Sequence, residues 1–301
     1  SQRDISVCAL SGNATCRGSS TSPEGKFTEN AIGGDTFYVQ NDSFAPGTTR
    51  YNFASKNHLL RPDKKHDFGI LLTFENLNKH TFNIDYFSSS YKTIAQLDYS
   101  GIFGLSVDLP CNNPFLSNQQ LTNICTDNGL GLTDTTPLYI SRRNIEGNPR
   151  QRSFKNSTDR FMFNVEGELS NEWTYSLDYQ NSKTKIDFSY LNDISKSRAA
   201  QALNVTGTAL NPSCASGNNC KPWNIFIVTD GKIKESASLG VTQEALDYIS
   251  TTLDVDAELS EDQFRFISSK SFILGNKNLE SLDLSLGIEY RKLNLKKIAD
   301  D

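Results

Sequence analysis

At 301 residues the chain is long enough for one large β domain or two modest ones. Its 30 Lys+Arg against 35 Asp+Glu, a formal net charge of -5, provide no basic surplus, so no nucleic-acid partner is expected. Mean hydropathy is -0.48 and no run approaches the ~20 apolar residues of a membrane helix, but this test is blind to β-barrels, whose apolar residues come at every second position.

The first residues, SQRDISVCAL, hold no initiator Met and no signal-peptide pattern, so a mature product or a fragment is expected. Residues 1–62 are polar and loop-like. Residues 63–97 read as a first hairpin. In it Phe68, Ile70, Leu72 and Phe74 alternate with smaller or polar residues, Asn76-Leu77-Asn78-Lys79 turns, and Phe82, Ile84 and Tyr86 alternate again. Residues 98–152 form a second polar stretch, with a weak helical segment at 117–124 and loop glycines at Gly129 and Gly131. A second hairpin over 153–190 carries Phe161, Phe163 and Val165, turns at Ser170-Asn171-Glu172, and returns through Trp173, Tyr175, Leu177 and Tyr179. Residues 191–260 are polar again, with helical segments at 192–203 and at 241–252, where Thr242 is placed to cap. A third hairpin over 261–297 begins with Phe264 and Phe266, turns through Gly275-Asn276-Lys277-Asn278, and continues through Leu282, Leu284, Leu286, Ile288 and Tyr290.

Short turns thus fall at one end of the hairpins and long connections at the other, which is the outer-membrane barrel pattern. A soluble sandwich gives the same alternation, but polar connections of this length are improbable in a compact soluble domain. Trp173, Tyr179 and Tyr290 near strand ends suit an interfacial aromatic girdle. The expected fold is therefore all-β, an antiparallel transmembrane β-barrel fragment of about six long strands with long extracellular loops containing short helices.

The cysteines fall as neighbours, Cys8/Cys16, Cys111/Cys125 and Cys214/Cys220, each pair inside one polar stretch. Disulfides within these pairs, in an oxidising compartment, are expected. Zinc is disfavoured because His58, His66 and His80 lie away from them. No metal or cofactor is expected.

No catalytic signature is present, so the chain does not read as an enzyme. The acids Asp254, Asp256, Glu258, Glu261 and Asp262 read as a solvated loop rather than a Ca²⁺ site. Asn13, Asn41, Asn156 and Asn204 begin N-x-S/T sequons of the kind an Asn-rich chain produces by chance. Arg142, Arg143, Arg150 and Arg152, in ISRRNIEGNPRQR, would either attract an anionic ligand or pair with acids in a polar lumen. In CKPWNIF, Trp223 and Phe226 would either form an exposed aromatic loop beside a disulfide or pack that loop against its neighbours.

The strings LPCNNPFLSNQQLTNIC, ISRRNIEGNPR, SYLNDIS, CKPWNIF, GVTQEALDYI and LGIEYRK, in this order along most of the chain, resemble TonB-dependent outer-membrane receptors. That resemblance implies a 22-stranded barrel filled by a plug, which imports iron chelates, cobalamin or oligosaccharides with energy passed on by the TonB complex. The chain shows no plug, no TonB box and no closing strand, so it would be a middle slice of the barrel, and six strands cannot close around such a lumen. The implied location is the bacterial outer membrane. The implied partners are its lipid, the TonB complex through a plug segment, and a small-molecule or oligosaccharide ligand captured by extracellular loops. Tyr139, Arg142, Arg143, Arg152, Trp223 and Phe226 are the candidate ligand-binding residues. A passive porin-like barrel and a secreted β-sandwich adhesin or glycan-binding module are the alternatives.

Overall fold

The computed structural model describes residues 18–29, 34–76, 79–169, 172–217, 219–274 and 280–300. The chain is mostly antiparallel β, 61% strand and 11% helix. In chain order the strands are β1 (Lys26–Glu29), β2 (Thr36–Gln40), β3 (Ser43–Pro46), β4 (Asp63–Asn76), β5 (His80–Tyr99), β6 (Gly101–Pro110), β7 (Thr135–Arg143), β8 (Pro149–Glu168), β9 (Thr174–Ile194), β10 (Val205–Thr208), β11 (Asn211–Cys214), β12 (Ser250–Leu274) and β13 (Glu280–Ala299). Helices α1 (Asn118–Ile124), α2 (Lys196–Leu203) and α3 (Gln243–Ile249) lie between them. None of the described helices is long and apolar enough to cross a membrane. Two compact units result: residues 61–94, 153–189 and 254–301 form one, and residues 1–60, 95–152 and 190–253 the other.

The first unit is built on a six-stranded sheet in the order β13-β12-β9-β8-β5-β4, so the three expected hairpins lie side by side. The sheet is not closed into a barrel, and β4 and β13 are its edges. The strand ends that flank its hairpin turns lie together. Lys79 of the first turn reaches Glu168 at the end of β8 at 2.7 Å, and Trp173 before β9 meets Phe272 near the end of β12. Of the expected turn residues, 77–78, 170–171 and 275–279 lie outside the described residues; Lys79 and Glu172 flank them with positive φ, 61° and 62°.

Period-2 alternation sorts this sheet into two chemically different faces. Phe68, Ile70, Leu72 and Phe74 stand opposite Ser88, Tyr86, Ile84 and Phe82 on one face. Phe264, Phe266 and Phe272 stand opposite Tyr290, Ile288 and Leu282, with Leu284 and Leu286 in the same row. Ring contacts of Tyr175 with His80 and of Trp173 with Phe272 join these rows through the middle strands, so Tyr175, Leu177 and Tyr179 share the face. The large apolar groups at both edges stand open: Phe68 is 56% exposed, Leu286 58% and Ile288 66%. The opposite face carries exposed Leu71, Ile273, Leu293 and Leu295 toward the sheet's edges, but it is polar and tied together across its middle. Thr73 donates to Asn83 at 2.8 Å, Asn83 to Asn164 at 3.0 Å, Asn164 to Asp178 at 2.8 Å, and Arg265 to Asp178 at 3.1 Å. This ladder of side chains crosses five neighbouring strands from β4 to β12.

The acidic run is not a solvated loop. Asp254, Asp256, Glu258, Glu261 and Asp262 lie in β12, which starts at Ser250, well before the hairpin start expected at 261. Leu253, Val255, Ala257 and Leu259 alternate with Asp254, Asp256 and Glu258, a strand period that the charge conceals.

In the second unit, the segments expected to be long loops hold a sheet in the order β3-β2-β1-β7-β6 and the hairpin β10–β11. Phe27 stands opposite Phe37 on one side and Ile140 on the other, and Val107 stands opposite Leu138. These side chains make a buried core with Ile124, Leu203, Leu246 and Ile249 from the helices. Gly104, with φ 70°, takes up an irregularity in the β6–β7 register that a side chain would strain. All three helices are capped by hydroxyls: Ser117 in a reciprocal capping box with Gln120, Ser195 to Arg198, and Thr242 to Ala245. Disulfides join Cys111 to Cys125 and Cys214 to Cys220; Cys8 and Cys16 lie outside the described residues.

Candidate functional site

The sequence candidates converge on the second unit, but most serve its interior. Arg142, near the end of β7, is 1% exposed and forks onto Glu146, with one contact at 3.1 Å. Thr229 donates to the same carboxylate. Burial pushes the Glu146 pKa up, but the Arg142 charge and the hydrogen bonds from Arg142 and Thr229 outweigh it and hold the carboxyl below its ordinary range. The Arg142 guanidinium also lies 5.9 Å from the centre of the Trp223 ring, a cation–π distance.

Arg143 points into a neighbouring polar knot. It donates to the Tyr99 carbonyl at 2.9 Å and lies 5.6 Å from the Tyr51 ring and 5.0 Å from the Phe103 ring. Tyr51 donates to Asp98 at 3.1 Å. Burial, then the Asp98 charge, raises the Tyr51 pKa. Burial, then the Arg150 charge, lowers that of Arg143. Arg150 bonds the Asp98 carbonyl and the Tyr190 hydroxyl, each at 3.0 Å, and Arg152 stacks over Tyr190 at 5.4 Å.

Trp223 and Phe226 do not form an exposed aromatic loop. They are 0% and 1% exposed. The Trp223 backbone N–H donates to the Ala202 carbonyl at 2.9 Å, and the Phe226 carbonyl accepts from Gln120 at 2.8 Å. The Phe226 ring lies 5.7 Å from Phe27. Of the two readings the sequence leaves open, packing against neighbours holds, because α1, α2 and β1 all reach this segment. Of the candidates, Tyr139 and Arg152 keep exposed side chains.

A concave surface lies next to Trp223 in sequence. A groove of about 560 Å³ is bordered by the Cys214–Cys220 disulfide, Lys221, Lys234, Glu235 and Glu244. Lys221 pairs with Glu244 at 2.9 Å. Mixed charge on a disulfide-pinned rim suits a polar ligand held by hydrogen bonds. Sequence reading passed over Lys234, Glu235 and Glu244, whose approach to the disulfide depends on non-local contacts. Glu146, four residues after Arg142, was passed over as well, because that spacing signals an ion pair on a helix and here a strand ends in a turn. Among the described residues no group of His, Cys, Asp and Glu is placed to hold a metal ion. Comparison with protein-family models, with curated proteins and with solved structures found no match.

Proposed function

We propose that this chain is the strand-bearing middle part of an outer-membrane active-transport receptor, which captures a scarce nutrient of the iron-chelate, cobalamin or oligosaccharide class and imports it with TonB-derived energy. The observation that carries the membrane part is the six-stranded sheet with one open apolar face and one interlinked polar face. An apolar patch of that extent marks a membrane or partner surface. Apolar-out, polar-in alternation on tilted strands is the barrel design, and strands of 14 to 25 residues exceed the ~9–11 needed to cross. The two open edges require further strands, because lipid does not tolerate unpaired backbone groups. The transport step rests on the family resemblance. Ligand capture falls to Tyr139 and Arg152, and the protein performs no catalysis of its own.

The test uses the intact protein that carries this chain. It should partition with outer membranes, need detergent for extraction, migrate faster on gels before heating than after, and show no steady conductance in planar bilayers. Uptake of the cognate nutrient should stop when TonB function is removed. Steady open-pore conductance would favour a passive porin, and solubility without detergent would favour a secreted β-sandwich and overturn the proposal.

A further inference from the structure

The open face of the six-stranded sheet is not apolar throughout. In β4 the row of Phe68, Ile70 and Leu72 continues, away from the turns, into His66 and Lys64. Lys64 stands directly opposite Lys92 of β5, and His66 opposite Ser90. Contacts of Asn83 with Asn164 and of Tyr86 with Asp159 fix which residues of β8 share a face with β5, and place Lys155 in this row. Lys64, His66, Lys92, Lys155 and Lys185 line one groove of about 330 Å³, with Asp187 as the acid among them.

Lys185 also borders Asp256 and Glu258, but among the described residues Lys64, Lys92 and Lys155 have no such acids to balance them. Like charges directly opposite on neighbouring strands destabilise a sheet, and among the described residues none of Lys64, Lys92, Lys155 and Lys185 has an ion-pair partner within 4.0 Å. The contrast lies on the same face farther along the sheet, where Lys183 meets Glu258 at 2.7 Å and Glu258 stands opposite Lys296. Positive charge is therefore balanced toward β12–β13 and left unbalanced toward β4–β8.

We infer that this groove binds the phosphate group of an acidic lipid in the outer leaflet. The inference rests on the membrane reading above and adds a lipid-specific contact to it. A lipid bound here would lay its acyl chains along Phe68, Ile70 and Leu72, while its phosphate oxygens would sit between Lys64, Lys92 and Lys155. Lysine ammoniums suit phosphate as compact charges that need no fixed plane. The adjoining apolar row makes a lipid headgroup, rather than free phosphate, the occupant that satisfies both parts of the surface.

The test measures binding of diphosphorylated lipid A, of phosphatidylcholine and of inorganic phosphate to the intact detergent-purified protein. In Lys64→Gln/Lys92→Gln/Lys155→Gln, lipid A affinity should fall on the order of a hundredfold, about fivefold per lysine. Phosphatidylcholine should bind weakly and equally to both proteins, and inorganic phosphate should displace lipid A poorly. Lys65→Gln, the neighbour that points to the other face and pairs with Asp67 at 2.8 Å, should leave lipid A affinity unchanged. Should the triple variant assemble poorly, Lys92→Gln alone carries the test through its fivefold share. Unchanged lipid A affinity in a protein that still shows the heat-dependent gel shift overturns this inference alone. So does equal loss with Lys65→Gln, or displacement by phosphate as effective as by lipid A. A protein that is soluble without detergent overturns the membrane reading, and this inference with it.

Discussion

Strands β7 and β13 carry the same kind of alternation and come to different ends. In β7, Leu138 and Ile140 are fully buried, with β1 and β6 on either side and a helical layer packed on the face. In β13, Leu282, Leu284, Leu286, Ile288 and Tyr290 alternate as regularly, yet all are exposed. The polar partners of the two strands also differ. The buried row of β7 itself ends in an ion pair, Arg142 with Glu146, whereas the residues that alternate with the apolar row of β13 join the opposite face, as in Arg291 with Glu261. Alternation therefore specifies that a strand has an apolar face, not what covers it. One unit of this chain covers its apolar face from within, and the other leaves that face exposed.

The largest expected effect breaks the internally covered unit. Arg142→Met leaves the Glu146 carboxylate buried without its counter-ion, which should destabilise that unit by about 3–5 kcal/mol. The native Glu146 pKa lies below the ordinary 4.5. Its contribution is thus fully present above that value and lost as pH falls through the lowered native pKa. Denaturant titrations should accordingly show the wild type weakening in acid and the gap to Arg142→Met narrowing there. A gap that does not change with pH would remove the ion pair as its cause.

The next effect sharpens the comparison on the open sheet. Leu177→Arg puts a charge on the apolar face, where lipid would impose about 2–4 kcal/mol, while Ser176→Arg puts the same charge on the polar face. Yield of heat-modifiable protein in one strain should drop for Leu177→Arg and hold for Ser176→Arg. Equal losses would mean that this strand does not separate lipid from a polar interior. The smallest effect returns to the groove. Removing the Cys214–Cys220 bridge, which spans a sequence separation of 6, should cost about 2 kcal/mol by loop entropy. Thermal melting of the double Cys→Ala variant should shift downward without loss of the membrane fraction. Loss of membrane insertion instead would tie the two units together in assembly.

What the sequence by itself determined was local. The hairpin positions, the helix cap at Thr242, and the disulfides between near neighbours follow from contacts a few residues apart, where chain connectivity already holds the partners close. The division of Tyr175 and Leu177 from Ser176 and Asp178 follows in the same way from the strand period. Tertiary structure decided the rest. The pairing of Phe27 with Ile140, the burial of Trp223 under Ala202 and Arg142, and the groove joining Lys221 to Glu244 bring together residues far apart in the chain. The strand through Asp254–Asp262 was concealed because its charges match a solvated loop as well as an exposed strand, and only pairing with β13 and β9 distinguishes them. Such pairings must overcome loop-closure entropy through the summed burial of a core, and no short stretch of sequence displays that sum.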